Sequence, residues 1–332
     1  MNPVDDKSKR NLIILLQEIC SEEGIRLSCF SQDWILRLER EGLFFFVFGY
    51  KFPLNHAVAS MLCDDKSATS QILADAQIAH VEHQLILSPV SFEAYSIAPF
   101  FEKLAAYQKR HGAVVIKPNQ GTGGLDVTLA KDPSHFEQYV TTLLSRYPSI
   151  AISPYYEITM EYRAILLHGE VKILYEKHRP CIIGDGQSTV WELLQADATL
   201  ADFTDHLPKA ERNRVLHLGE RYDLNWKFNL GLGAKPVLLL PQNESQYDID
   251  LLSQSVILNE VTLLAQRTVA ALDITLAAVD IIQTAEGLMV LEVNSGIMME
   301  AFSSIREYRH LAKELYREII HESFSMKEQS AL

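Results

Sequence analysis

Ile274-Thr275-Leu276-Ala277-Ala278-Val279-Asp280-Ile281-Ile282 and Leu288-Met289-Val290-Leu291-Glu292-Val293-Asn294, separated by Gln283-Thr284-Ala285-Glu286-Gly287, form the stretch that decides the fold of this chain. Each apolar run has the length and content of a buried strand. The polar connector ends in Gly, as a hairpin turn does. Antiparallel pairing across that turn brings Asp280 close to Glu292, and Asn294, two residues on, shares the face of Glu292. Ionised carboxylates among Val, Ile and Leu are costly unless a cation compensates them. Two carboxylates and an amide make a hard-oxygen set suited to magnesium, which takes one or two carboxylates plus substrate phosphate oxygens. The pattern points to a nucleotide enzyme, and a surface hairpin with chance acids is the competing reading.

Upstream, Ala113-Val114-Val115-Ile116-Lys117-Pro118 reads as a strand entering Asn119-Gln120-Gly121-Thr122-Gly123-Gly124, with a second strand at Asp126-Val127-Thr128-Leu129-Ala130. Gly121, Gly123 and Gly124 with Thr122 can turn backbone N–H groups toward phosphate oxygens, because Gly allows close approach and positive φ. Lys117 adds a point charge to that cradle. The order is not that of a P-loop, since the lysine precedes the glycines, nor of a dinucleotide fingerprint, since a strand follows where a helix should begin. A purely structural turn is the alternative.

Taken together the segments resemble the ATP-grasp superfamily over roughly residues 50 to 310. The likeness runs through Phe52-Pro53-Leu54-Asn55, Asp64-Asp65-Lys66 opening the helix-like 67–76, Val115-Ile116-Lys117-Pro118 with its glycine loop, Glu161-Tyr162-Arg163, and Ile183-Gly184-Asp185-Gly186. The wording is most similar to the subgroup of cyanophycin synthetase, the ATP-grasp part of bifunctional glutathione synthetases and the ribosomal-protein glutamylating ligases. The resemblance implies an α+β ATP-grasp fold, with nucleotide held between a small mobile lid and a larger α+β domain behind a short N-terminal unit.

It also implies roles. Lys66 and Lys117 would meet the nucleotide phosphates, and Ser153 and Tyr155 fall at the interdomain hinge that receives adenine, although many relatives carry Glu near that hinge where this chain has Ser153. Glu161 matches the ribose-binding position. Arg163, on the same strand face, suits a phosphate or a substrate carboxylate, with a surface ion pair as the plain alternative for both residues. Lys227 and Asn229, followed by Gly231 and Gly233, lie where relatives carry a basic residue, Asn and a glycine pair near the reacting phosphate. Lys in place of the commoner Arg cannot make a bidentate fork.

The expected activity is that of an ATP-dependent carboxylate–amine ligase that forms an amide or peptide bond through an acylphosphate. ATP and Mg2+ are the cofactors, with Mn2+ able to stand in for magnesium. Small carboxylates and amines, amino acids or peptides above all, are the substrates, and a homodimer is compatible with this reading. A small-molecule kinase on the same fold and a non-catalytic nucleotide-binding regulator are the alternatives.

With 332 residues and 48% apolar content the chain can bury one extended core or two to three subdomains. A net charge of −13 disfavours nucleic acid and anionic membrane as main partners. Cys20, Cys29, Cys63 and Cys181 show no CxxC spacing, so neither a zinc site nor a disulfide framework is expected, and free thiols fit a reducing compartment. Cys181 reads as a strand residue. The charged first ten residues and the short apolar run Leu12–Leu16 fit neither a signal peptide nor a membrane span, and a cytoplasmic location is expected. Asn11 to Cys20 reads as an amphipathic helix, with Leu12, Leu15, Leu16 and Ile19 on one stripe packing on the first sheet.

The organisation read from these signals is an N-terminal unit over 1–64, a first ATP-grasp segment over 65–100 with a strand at 81–86, a lid over 101–150, a C-terminal domain over 151–325 and a tail over 326–332. The polar stretch 197–225, with His206, Arg212 and Arg214, is either a substrate-recognising loop or a solvated helix.

Overall fold

The computed structural model describes residues 9–88, 106–121, 124–178 and 256–331, with short pieces at 181–182, 187–188, 192–193, 196, 237–238 and 248–251. The chain divides into two units, Met1–Glu176 with Asp250–Leu332, and Lys177–Ile249.

The first unit opens with α1 (Asn11–Glu23), whose Leu12, Leu15, Leu16 and Ile19 are fully buried, as their spacing requires. Arg10 offers no side-chain cap. The Glu300 carboxylate instead accepts the free N–H groups of Asn11 and Leu12, at 2.6 and 3.3 Å, and places negative charge at the positive end of the helix. Gly24, at φ 67°, closes α1 in the left-handed region. An antiparallel sheet follows, β1 (Arg26–Phe30), β2 (Ile35–Arg40) and β3 (Leu43–Phe48), in that order. Its inner face packs on the long C-terminal helix, with Phe45 edge-on to Phe324 at 4.9 Å.

Next come α2 (Ala57–Asp64) and α3 (Lys66–Asp75), and α3 is capped by Asp65, which accepts the Ala68 N–H at 2.8 Å. A four-stranded sheet has the order β4 (Gln84–Leu87), β7 (Ser149–Pro154), β5 (Val114–Pro118), β6 (Thr128–Ala130), and every pairing in it is antiparallel. Helix α4 (Pro133–Leu144) covers one face, its Phe136, Val140 and Leu143 meeting Val114, Ile116, Ile150 and Ile152. Asp132 caps α4 and Pro133 occupies the first turn, where a missing N–H costs nothing.

A five-stranded sheet has the order β12 (Asp248–Leu251), β9 (Glu170–His178), β8 (Met160–Leu167), β13 (Leu276–Thr284), β14 (Gly287–Asn294). Helix α5 (Val256–Ala271) lays Val261, Ala265 and Val269 on one face, against Ala164, Ala277, Val279 and Val293. The chain closes with α6 (Glu300–Ser304) and α7 (Arg309–Ala331), which runs through most of 326–332. In the second unit, β10 (Cys181–Ile182) pairs antiparallel with β11 (Val237–Leu238). Cys181 is thus a strand residue.

The mixed helices and antiparallel sheets are the α+β architecture expected. Three boundaries differ from the sequence reading, each for a local reason. Strand β4 begins at Gln84 because the preceding residues serve another edge: the Val81 N–H donates to the Val290 carbonyl, and the Val290 N–H to Ala79, both at 2.9 Å. Strand β6 begins at Thr128 because Asp126 turns through φ 58°. Strand β13 begins at Leu276, where the Asn55 side chain takes the backbone bonds: Oδ1 accepts from Thr275 and Leu276 at 3.1 and 2.8 Å, and Nδ2 donates to the Leu276 carbonyl at 2.7 Å.

Candidate active site

The hairpin closes with only Ala285 and Glu286 between paired Thr284 and Gly287, and its register sets Asp280 opposite Glu292 and Ala278 opposite Asn294. Beyond Asp280 the register shifts, so that Ile281 faces Val290 and Leu291 is the extra residue of a bulge. Bulges re-aim side chains next to sites. On its other side Asp280 faces Arg163 of β8. Arg163, Asp280 and Glu292 therefore form a row across three strands.

Arg163 grips Asp280 with both arms of its fork, Nε to Oδ1 and Nη2 to Oδ2, each at 2.8 Å. Asp280 is 1% exposed and Arg163 7%. Asn294 Nδ2 completes the set, 3.2 Å from Asp280 Oδ2 and 3.4 Å from Glu292 Oε1. The three residues expected as metal ligands thus lie together. The anionic group that Arg163 meets is Asp280 itself, a join that sequence could not show because the two lie 117 positions apart. Glu161, buried and two residues before Arg163, shares its strand face.

A second wall comes from α3 and β5. Lys66 is the first residue of α3, and its Nζ donates to the Gly121 carbonyl at 2.8 Å. Buried Asn119 accepts the Ser67 N–H on its Oδ1 at 3.1 Å, and its carbonyl accepts the Lys66 N–H at 3.3 Å, pinning the start of α3 to the end of β5. Lys117 pairs with Ala151 and Val115 with Ser153, so Lys117 and Ser153 share the sheet face opposite the α4 core. Burial pushes the Lys117 ammonium down to about 8, Lys66 adds to the fall, and Glu292 opposes it. Lys117 forms no ion pair with another described residue. The Tyr155 N–H, at the end of β7, donates to the Ala113 carbonyl at 3.0 Å.

Between these walls opens a cleft of about 480 Å3 lined by Lys51, Asp64, Lys66, Gly121, Glu292 and Asn294 among others. Lys51 and Asp64 form an ion pair at its side, with Nζ 2.7 Å from Oδ1. Gly121 and Gly124 frame the loop, Gly124 at φ 67°, while Thr122, Gly123, Lys227, Asn229 and all of 197–225 lie outside the described residues. Among the described residues no three His, Cys, Asp or Glu side chains cluster as a metal site, and the candidate set here is two carboxylates with an amide.

His83 was not singled out from the sequence. It is 5% exposed, its backbone N–H donates to Ser70 Oγ at 3.0 Å, and its Nε2 has no hydrogen-bond partner among the described residues. With Lys66 and Glu292 it lines a small void between α3 and β14. Burial holds its imidazole well below the usual range, and Lys117, Lys66 and His80 push the same way. The only sequence signal was an imidazole within the strand-like run 81–86, which core histidines share.

Neither a protein-family model nor a curated protein matches this sequence. Solved structures do match in fold. The chain superposes on D-alanyl-alanine synthetase A from Vibrio cholerae with TM-score 0.56 at 12% identity, covering 96% of this chain and 93% of that one. On the D-alanine–D-alanine ligase from Bacillus anthracis the TM-score is 0.53 at 15% identity, over 83% of this chain and 72% of the other. On a bifunctional glutathione synthetase from Pasteurella multocida it is 0.52 at 18% identity, over 94% of this chain but 44% of that protein, so the chain spans less than half of that enzyme's length. The chain has the ATP-grasp fold.

Proposed function

We propose that the protein is an ATP-dependent carboxylate–amine ligase that forms an amide or peptide bond through an acylphosphate and releases ADP and phosphate. The observation that carries the reading is the cleft itself. Lys66 and Glu292 line it, and the buried Lys117 ammonium, which has no ion-pair partner among the described residues, lies close enough to feel the charge of both, at the junction of two sheets. A cation kept out of water in that way is costly unless an anion arrives to share the site, and a polyphosphate is such an anion.

The donor chemistry fits magnesium. Glu292 is a carboxylate at the cleft wall, Asn294 turns its amide nitrogen toward Asp280 and Glu292 and leaves its oxygen for another partner, and Asp280 stands behind them. When bound, Mg2+ would supply charge neutralisation between phosphate oxygens. Arg163 holds Asp280 in one orientation and balances its charge, so the net negative charge offered to a metal is set mainly by Glu292. Lys66 and Lys117 would place positive charge against the transferring phosphate, a matter of positioning and electrostatics with no covalent protein nucleophile. Ser153, Tyr155 and Glu161 would take the adenine and ribose, and Lys227 with Asn229 would sit near the reacting phosphate.

The test is incubation with ATP, magnesium and pairs of amino acids or dipeptides, following phosphate release with mass detection of condensation products. Substrate-dependent phosphate release with an amide product is expected, and Glu292→Gln, nearly equal in volume, should abolish it with the fold intact. Turnover that yields a phosphorylated small molecule and no amide across the panel would replace the ligase reading with a kinase. ATP binding without turnover would leave a regulator.

A further inference from the structure

The N-terminal sheet is apolar on its inner face and rich in aromatic side chains on its outer one, and the described chain covers only the inner. Leu36, Leu38, Phe45 and Val47 are buried on the inner face. The register stacks Phe30, Ile35 and Phe48 in one outward row, Ser28, Arg37 and Phe46 in the next, and Arg26, Glu39 and Phe44 in the third. Phe30, Phe44, Phe46 and Phe48, with Trp34 at the turn before β2, are between 42% and 58% exposed. A strand that must alternate between core and water has polar residues at every second position. Leu43-Phe44-Phe45-Phe46-Val47-Phe48 has none, and it reads as a strand covered on both sides.

We propose that this outer face is a dimer interface, occupied by the same face of a second copy of the chain. Area supports that occupant. Half-exposed, five large aromatics offer on the order of 500 Å2, near the upper end of the patches found on monomers. Two copies face to face would bury about 1,000 Å2 from aromatics alone, the threshold of a specific interface, and the surrounding residues would bring the total toward the usual 1,600 Å2.

Charge supports it too. Glu39 sits between Arg26 and Arg37, ion-paired with both. The face thus carries both signs, so each copy can offer a partner to the arginines and to the glutamate of the other. The net charge of −13 would drive two copies apart over most other surfaces. The aromatics are also held in place beforehand, which lowers the ordering cost of association. Arg37 lies over the Phe44 ring at 4.2 Å, Phe44 and Phe46 meet edge to face at 5.7 Å, and Trp34 meets Phe48 at 6.3 Å.

The experiment is sedimentation velocity with light scattering on the full chain from about 1 to about 100 µM, the range in which an interface of this size associates. A concentration-dependent dimer is expected. Phe46→Arg should weaken it by at least about tenfold, because it buries a charge at the centre of the patch, with far-ultraviolet circular dichroism unchanged. Phe48→Arg serves if the first variant does not fold. Leu263→Arg, at an exposed apolar residue of α5, should leave the dimer intact. A monomer at every concentration overturns the proposal, whether or not the protein then binds lipid vesicles. So does a dimer that survives both phenylalanine changes.

Discussion

Asp280 has both oxygens in the fork of Arg163 and almost no access to water. Removing the guanidinium leaves a buried carboxylate that loses its charge partner and keeps the weaker bond from the Asn294 amide. Arg163→Met should therefore destabilise the fold by about 3–5 kcal/mol, measurable by urea denaturation, and a loss below 1 kcal/mol would mean that the pair behaves as a surface bridge. Lys117 gives a pH dependence with a definite sign. In the folded chain its ammonium deprotonates near about 8, against 10.5 for the ordinary group. Between those values the unfolded chain binds more protons, so stability contributed by this group rises with pH across the window and is lowest below about 8. Nucleotide affinity should run the opposite way, falling as pH rises through about 8, because the uncharged amine offers a phosphate no attraction. Calorimetric titration with ATP across the window checks this, and in Lys117→Met the affinity should be weak and flat. An unchanged slope in that variant would assign the dependence to another group.

At the scale of elements, the hairpin carrying Asp280 and Glu292 is held at its entrance by a side chain from the N-terminal region. Asn55 bonds two N–H groups and one carbonyl at the start of β13. Asn55→Ala leaves those backbone groups to find other partners and should cost about 2–3 kcal/mol, with the loss of protection in hydrogen exchange greatest at Thr275 and Leu276. Uniform loss across the sheet would show that Asn55 has no local role. The glycine loop between β5 and β6 is the other element with a predicted response. ATP with magnesium should order it and slow its cleavage by a protease, as lid closure over a nucleotide does, and equal cleavage rates with and without nucleotide would remove the phosphate-cradle role from that loop. Apolar runs and turn residues made strands β3, β5, β13 and β14 legible, since period and punctuation are local properties. The start of β4 was not legible, because residues 79–81 bond to the edge of β14, a contact that no local pattern encodes.

At the scale of the whole molecule, the chain's order of segments was enough to expect the ATP-grasp fold, and the fold is observed. The sequence by itself determined the alternation that buries Leu12, Leu15, Leu16 and Ile19, the hairpin that sets Asp280 beside Glu292, and the presence of Lys66 and Lys117 at the starts and ends of elements. Each of these follows from spacing along one or two neighbouring elements, where backbone periodicity fixes which side chains share a face. Packing between distant elements was needed to show that Arg163 belongs to Asp280, that Lys117 is a buried ammonium near Glu292, that the His83 Nε2 between α3 and β14 has no hydrogen-bond partner among the described residues, and that Phe44, Phe46 and Phe48 of β3 face outward while Phe45 faces the core. Those facts depend on which sheets and helices meet and on how far a group is removed from water, and desolvation is a property of the assembled neighbourhood that no stretch of sequence carries.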